Sequence, residues 1–325
     1  MKIIAIHDGN NGHKSQLMGV INSFVKEDVQ IIQANNNLKL MLLPSFLMEK
    51  LLFLFNKELS HIQRPNLIIS IGKKSTPYAI YLKKKFKGAK LVFLMPSNSL
   101  SQKYGDLIFY HSYKNVTYQD AKYVPIISAP HLVNKDNLEV SQSEWSSEFS
   151  KFKKPITSLI LGGDAKKIHL NSKGIYELVA VIKKIKNLVG GSIFITTSRR
   201  TGLENEQYLK EQMSDMISNA ECFFWGYNEN KDSHANPYLA MLASSKYVII
   251  SGESISMISE SCSLPPNVGV YIFFSKHFNS KRYIKFHENM YNNNYAKPIK
   301  DFSTNWERAS LNSTDFVVNE IKKII

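Results

Sequence analysis

The sequence predicts an α/β protein made of two parallel-sheet halves, and three observations carry that expectation. Short β-branched and aromatic runs recur along the 325 residues with helical stretches between them, the pattern of a parallel sheet covered by helices on both faces. The rhythm breaks over 134–154, where the chain turns polar and rich in Ser, Glu and Lys before Pro155. It then restarts with a strand of its own and a Gly162-Gly163 turn. A chain of this length allows two domains, each with its own core.

The first half holds the strand-like runs Ile3–Ile6, Val29–Ile32, Leu67–Ile71, Lys90–Leu94 and Leu107–Phe109. The second holds Ser158–Leu161, Ser192–Thr196, Cys222–Trp225, Tyr247–Ile250 and Gly269–Phe274. The expected domains are therefore 1–140 and 150–305, two Rossmann-like halves facing each other across a cleft, with the polar stretch as their connection.

Bulk chemistry excludes several classes. Hydrophobic residues make up 43% of the chain, and no apolar run reaches the ~18–20 residues of a membrane span. Met1-Lys2 leads directly into the first strand, leaving no room for a signal peptide. Two cysteines, Cys222 and Cys262, are too few for a disulfide framework and suit a reducing cytosol. The net charge is +14, yet no helix-turn-helix, zinc finger or RNP motif is there to make nucleic acid a partner. An anionic membrane surface or a phosphorylated substrate is the more economical reason for the charge.

Chemistry-bearing residues concentrate where strands end. After the first strand comes His7-Asp8-Gly9-Asn10-Asn11-Gly12-His13, in which Gly9 and Gly12 permit a tight turn and close ligand approach. Asp8 and His13 place two titratable groups at the sheet's carboxyl edge. Either His13 acts as a general base, its ordinary pKa lying near ~6.5, or both residues only cap the next helix. After the third strand, Gly72-Lys73-Lys74-Ser75 puts two cations above free N–H groups, an anion-side candidate, with Pro77 opening a helix. His131, in Ser128-Ala129-Pro130-His131, reads as a local turn residue.

Three strand ends of the second half carry Gly162-Gly163, then Thr197-Ser198-Arg199-Arg200-Thr201, then Ser251-Gly252-Glu253-Ser254-Ile255-Ser256-Met257. The last crosses from a buried strand into a helix through small residues, leaving backbone N–H groups at a positive dipole end, which suits a phosphate. Arg199 and Arg200 offer planar forks for phosphate oxygens. Glu260, two turns into that helix, can accept both hydroxyls of a ribose diol. Asn236-Pro237-Tyr238 opens the helix that precedes the strand. Together these loops supply what a nucleotide diphosphate requires. No Walker A or GxGxxG pattern is present, and no Cys/His spacing fits zinc, so neither a metal nor a separate cofactor is expected.

Seven motifs in order resemble one family: Asp8-Gly9-x-x-Gly12-His13-x-x-Gln16, Gly72-Lys73-Lys74-Ser75-x-Pro77, Ala129-Pro130-His131, Gly162-Gly163, Thr197 to Thr201, Asn236-Pro237-Tyr238, and Ser254-x-Ser256-Met257-x-Ser259-Glu260. The chain resembles the ELM mitochondrial-fission family, whose bacterial members are regarded as candidate glycosyltransferases, from Asp8 to about Pro298. It departs where the family usually has two arginines (here Lys73-Lys74) and an Asp (here Glu253). Residues Gly252 to Glu260 are also similar to the donor loop of MurG-type GT-B glycosyltransferases.

That likeness implies a GT-B fold and a nucleotide sugar, UDP-linked among the choices, bound by the second domain. The site residues it implies there are Gly162, Gly163, Ser198, Arg199, Arg200, Asn236, Ser254, Ser256, Met257 and Glu260. On the acceptor side it implies Gly12, Lys73, Lys74 and Ser75, with His13 or Asp8 as base. It also implies a C-terminal helix, 306–325, that crosses back to the first domain on Trp306, Phe316 and Val317. The activity implied is metal-independent sugar transfer to an acceptor hydroxyl on a lipid-linked or surface glycan, by a cytoplasmic protein peripheral to a membrane. A nucleotide-sugar epimerase of the same fold and a non-catalytic recruitment scaffold are the alternatives.

Overall fold

Six parallel strands form each of two sheets in the computed structural model, which describes residues 1–24, 26–34, 61–96, 99–114, 120–165, 169–232, 235–274 and 281–325. The chain divides into two units, 1–132 with 312–325 and 133–311.

In the first unit the strands are β1 (Lys2–His7), β2 (Asp28–Gln33), β3 (Leu67–Ile71), β4 (Lys90–Leu94), β5 (Leu107–His111) and β6 (Tyr123–Ile126), in the order β2-β1-β3-β4-β5-β6. The inner strands carry near-continuous apolar runs because both their faces are covered, as parallel sheets demand; β3 is buried at every position, while the edge strand β2 is largely exposed or half-buried. Helices α1 (Asn11–Ile21), α2 (Thr76–Lys85) and α3 (Ser99–Tyr104) follow β1, β3 and β4. Asn10 caps α1, its side-chain oxygen accepting the Gly12 and His13 amides. The strand order reverses between β1 and β3. The loops after those two strands therefore flank the switch point where such sheets bind ligands.

The second unit opens with α4 (Lys135–Glu144) and α5 (Ser146–Phe149), then continues β7 (Ile156–Ile160), α6 (Ser172–Val189), β8 (Ser192–Thr196), α7 (Leu203–Gln212), α8 (Ser214–Ser218) and β9 (Cys222–Trp225). It ends with α9 (Tyr238–Ser244), β10 (Tyr247–Ser251), α10 (Ile255–Cys262), β11 (Gly269–Phe273), α11 (Lys281–Asn292) and β12 (Lys297–Pro298). The order is β12-β11-β10-β7-β8-β9, which places the switch point between β7 and β10. Helix α6 shows how the sequence builds the packing. Asn171 caps it, and Ile175, Leu178, Val179, Ile182 and Ile185 make one buried stripe against the sheet.

Three expectations need correction. The polar stretch 134–154 forms α4 and α5 of the second unit, with the division at Leu132/Val133. Its aromatic residues drive this: Phe149 lies 4.5 Å from Phe194 and 5.2 Å from Phe223, and Phe152 lies 5.2 Å from Phe194. Second, the C-terminal helix, α12, is shorter than the expected 306–325 and spans Ser313–Lys322; its Val317, an expected anchor, with Val318 and Ile321 shares the first unit's core with Leu17, Val20 and Phe24. Third, neither Trp306 nor Phe316 anchors it. Trp306 stays in the second unit, 5.5 Å from the Tyr271 ring with its indole N–H on Asn294 at 2.8 Å. Phe316, one position off the buried stripe, is 43% exposed. Among the described residues, no helix is long and apolar enough to cross a membrane.

Candidate functional site

At the first unit's switch point, His13 and Asp8 form a pair. His13 Nδ1 lies 2.9 Å from Asp8 Oδ1, with the Asp8 side chain 12% exposed and that of His13 38% exposed. A carboxylate only accepts, so in the neutral imidazole Asp8 takes the proton-bearing Nδ1 as its partner and Nε2 is the nitrogen with the lone pair. The sequence posed the two residues as alternative bases; the structure makes one the orienter of the other. Gly72, at φ +93°, packs so tightly on Asp8 that a Cβ there would collide with the carboxylate. Neighbouring His7 is buried, and burial pushes its pKa down. Its Nδ1 accepts the Gly9 amide at 3.1 Å, so it serves the turn.

The other first-unit residues separate. Gly12 sits in the first turn of α1. Lys73 is exposed and Lys74 half-buried. Ser75 is fully buried, its hydroxyl bonded within the turn to the Ile71 and Gly72 carbonyls at 2.7 Å each. Its hydroxyl shapes the loop instead of facing an anion, unlike the acceptor-side expectation for this side chain. The His131 amide donates to Thr314 Oγ1 at 2.9 Å and its carbonyl accepts from the same hydroxyl at 3.0 Å, tying the turn to α12.

In the second unit the three strand-end loops meet. Ser251 Oγ accepts the Gly162 amide at 2.7 Å, and Glu253 Oε1 accepts the Gly163 amide at 2.6 Å and the Ser251 hydroxyl at 2.9 Å. Ser198 Oγ donates to the Gly162 carbonyl at 2.9 Å, and the Asp164 amide donates to the Arg200 carbonyl at 2.9 Å. The paired glycines follow from this closeness. A Cβ on Gly162 would strike Glu253, and one on Gly163 would strike the Arg200 backbone. Arg199 is exposed and Arg200 half-buried.

Glu253 is 2% exposed, and its Oε2 is buried with no hydrogen-bond partner among the described residues. Burial pushes its pKa up against the opposing pull of the Gly163 amide, the Ser251 hydroxyl and the Arg200 charge. A further bolt holds the Arg loop. Glu206, fully buried, accepts the Thr197 hydroxyl, the Asn228 amide at 3.0 Å and the Glu229 amide at 3.1 Å.

Helix α10 opens at this junction. Ser254 is buried and makes no side-chain cap bond, so no N-cap side chain stands over the first-turn amides, the end of a helix that favours an anion. Ser256 and Met257 are half-buried in the same turn. Glu260 is half-buried one turn on and accepts the Tyr238 hydroxyl. Burial pushes its pKa up to about 7, while the Tyr238 bond pulls it down. Asn236 is exposed, and its side-chain oxygen accepts the Tyr238 amide at 3.0 Å; it acts at the start of α9.

Two supports of α10 gave no sequence signal. His287 Nε2 donates to the Gly252 carbonyl at 2.6 Å, its pKa pulled down by burial to about 4, so the ring is neutral. At the far end, Arg308 is 3% exposed and donates to the Cys262 and Val268 carbonyls at 2.7 Å each, a cation at a helix C-terminus. Among the described residues, no group of three His, Cys, Asp or Glu side chains is placed to hold a metal ion.

Comparison with known proteins agrees with this architecture. The family described as Mitochondrial fission ELM1 matches residues 11–325. An uncharacterized Rickettsia prowazekii protein is 28% identical over 356 residues, covering 100% of this chain and 96% of that protein. The Arabidopsis thaliana mitochondrial fission protein ELM1 is 23% identical over 198 residues, 60% of this chain and 44% of the plant protein. Among solved structures, MurG from Acinetobacter baumannii superimposes with a TM-score of 0.52 at 10% identity over 99% of both chains. UDP-GlcNAc 2-epimerase from Methanocaldococcus jannaschii gives 0.55 at 13% identity, covering 99% of this chain and 100% of that one. At such identities the likeness shows the fold, which is GT-B-like.

Proposed function

This chain belongs to the mitochondrial fission ELM1 family, and from that premise we propose that it is a glycosyltransferase using a nucleoside-diphosphate sugar. One observation carries the reading: three strand-end loops of the second unit converge at a switch point on the first-turn amides of α10, with Glu260 one turn beyond. Those amides, the Ser254 hydroxyl and the Arg199 and Arg200 charges receive the diphosphate. Glu260 accepts the ribose hydroxyls. Ser198, whose hydroxyl is held by Gly162, keeps the loop in place.

The first unit serves the acceptor. Nε2 of His13, with Nδ1–H held by Asp8, takes the acceptor hydroxyl proton as the oxygen bonds to the anomeric carbon. The bond from that carbon to the diphosphate breaks, and the helix dipole and arginines offset the departing charge without a metal.

The test is to add UDP and UDP-sugars to the protein and follow unfolding. A ligand at a hundredfold its Kd stabilises by ~2.7 kcal/mol. No stabilisation by any nucleoside diphosphate would remove the enzyme reading and leave a non-catalytic recruitment scaffold. An epimerase is the second reading, favoured by the structural likeness to UDP-GlcNAc 2-epimerase. Incubation with nucleotide sugar alone separates the two, since an epimerase changes the sugar with no acceptor present.

A further inference from the structure

The amino end of the first sheet, opposite the Asp8–His13 loop, carries a dense basic surface. The first unit holds nineteen Lys and Arg against nine Asp and Glu, the second twenty-two against eighteen, so most of the +14 sits on the smaller unit. Lys84 and Lys85 end α2, Lys87 follows in the turn, Lys90 begins β4 and Lys103 lies in the last turn of α3; all five are exposed. They form one face. Lys84 and Lys103, from different helices, sit 5.1 and 5.6 Å from the same Tyr104 ring. Lys85 lies 5.1 Å from the Phe86 ring, and Lys122 lies 5.4 Å from the Tyr123 ring while donating to the Gln102 carbonyl at 2.9 Å. Among the described residues, Asp106, bonded to Lys83 at 2.6 Å, and Asp120, 3.5 Å from Lys122, are acids paired with lysines there.

We propose that this face docks the protein on an anionic lipid bilayer. The cations are nearly all lysines, hydrated point charges suited to the diffuse potential of a charged leaflet. Half-buried Tyr and Phe rings lie among them, as interfacial aromatics do. Nucleic acid would call for arginine forks and open stacking faces; here ammonium groups cover the rings, and Arg64 is engaged with the Lys87 carbonyl at 2.8 Å. Among the described residues this face exposes no large apolar side chain, so docking is electrostatic and reversed by salt. The Asp8–His13 loop, at the other end of the sheet, stays clear of the lipid. The proposal stands apart from the donor-site reading and survives its failure.

The test is co-sedimentation of the full chain with phosphatidylcholine vesicles and with vesicles of roughly one-third phosphatidylglycerol, a content that sets a negative surface potential. The protein should pellet with the anionic vesicles alone and be released by salt. Each lysine near such a surface is worth about fivefold in partitioning, so Lys84→Glu/Lys85→Glu/Lys103→Glu should weaken binding at least about a hundredfold, with unchanged Tm. Lys173→Glu/Lys183→Glu/Lys184→Glu, an equal charge change on exposed α6 positions of the second unit, should stay within a few-fold of wild type. The proposal is overturned by equal loss in both variants, by absence of binding to anionic vesicles, by salt-insensitive binding to both vesicle types, or by preference for duplex RNA over vesicles at equal phosphate.

Discussion

The two switch-point sites are built in opposite ways. In the second unit, nearly every polar group behind the loops is bonded to another loop: Glu253 to Gly163 and Ser251, Ser198 to Gly162, Glu206 to Thr197, Asn228 and Glu229. In the first unit the bonds stay within each loop, Ser75 to Ile71 and Gly72, His7 to Gly9 and Asn10 to Gly12 and His13, and the two loops meet at the Gly72–Asp8 contact, while His13 and Lys73 reach solvent. A site that must recognise one rigid group, a diphosphate, gains from a shape fixed before binding. A site that moves a proton needs an accessible base with one oriented tautomer. The contrast predicts that damage in the second unit appears first as lost stability and nucleotide affinity, and damage in the first as lost rate.

The largest effect is expected at His13. His13→Ala should lower transfer by about 10²–10⁴ with Tm and nucleotide affinity nearly unchanged. A parallel loss of nucleotide binding would mean that the loop supports the donor site instead. Glu206→Ala should come next, destabilising the protein by roughly 2–4 kcal/mol in urea unfolding, because it strands a buried hydroxyl and two part-buried amides. If Asp8→Ala costs as much stability, the contrast between the units fails.

Glu260→Ala should weaken nucleotide binding by roughly 1.5–3 kcal/mol, the range for hydrogen bonds to charged groups. Its pH dependence sharpens the point. Folding raises the Glu260 pKa from 4.5 to about 7, so the folded protein holds the extra proton between those values. Stability of the unliganded protein therefore falls as pH rises through that window, by at most roughly 3 kcal/mol for Glu260. Glu253, also pushed up by burial, adds a slope of the same sign. Nucleotide affinity should rise over the same range, since ribose hydroxyls donate to the ionised carboxylate. Glu260→Gln should flatten both profiles, and calorimetry in buffers of different ionisation enthalpy should detect proton release on binding near pH 7.

The sequence carried much of this architecture because the information was local. Largely apolar, β-branched runs such as Leu67–Ile71 and Ser192–Thr196 have the length of buried strands and match the observed β3 and β8. Two strands escaped, β6 with Pro125 inside it and β12 with only Lys297–Pro298, since proline argues against a strand interior. The stretch 134–154 misled because its surface is polar, while the residues that fix it pack on Phe194 and Phe223, distant in sequence. The candidate site divides in the same way. Gly162-Gly163, the Arg loop and the Ser loop were legible as strand ends. Glu206, His287 and Arg308 were not, because each acts through tertiary hydrogen bonds that no spacing records. Glu253 was visible only as a charge inside a Gly/Ser loop.

Hydrogen–deuterium exchange with and without UDP tests the central claim most directly. The account predicts that the first-turn amides of α10, Ile255 to Met257, gain protection together with Gly162–Asp164 and Ser198–Thr201, while Gly9–His13 is unchanged. Protection confined to Gly9–His13 and Gly72–Ser75, or none in either unit at saturating UDP, would contradict it.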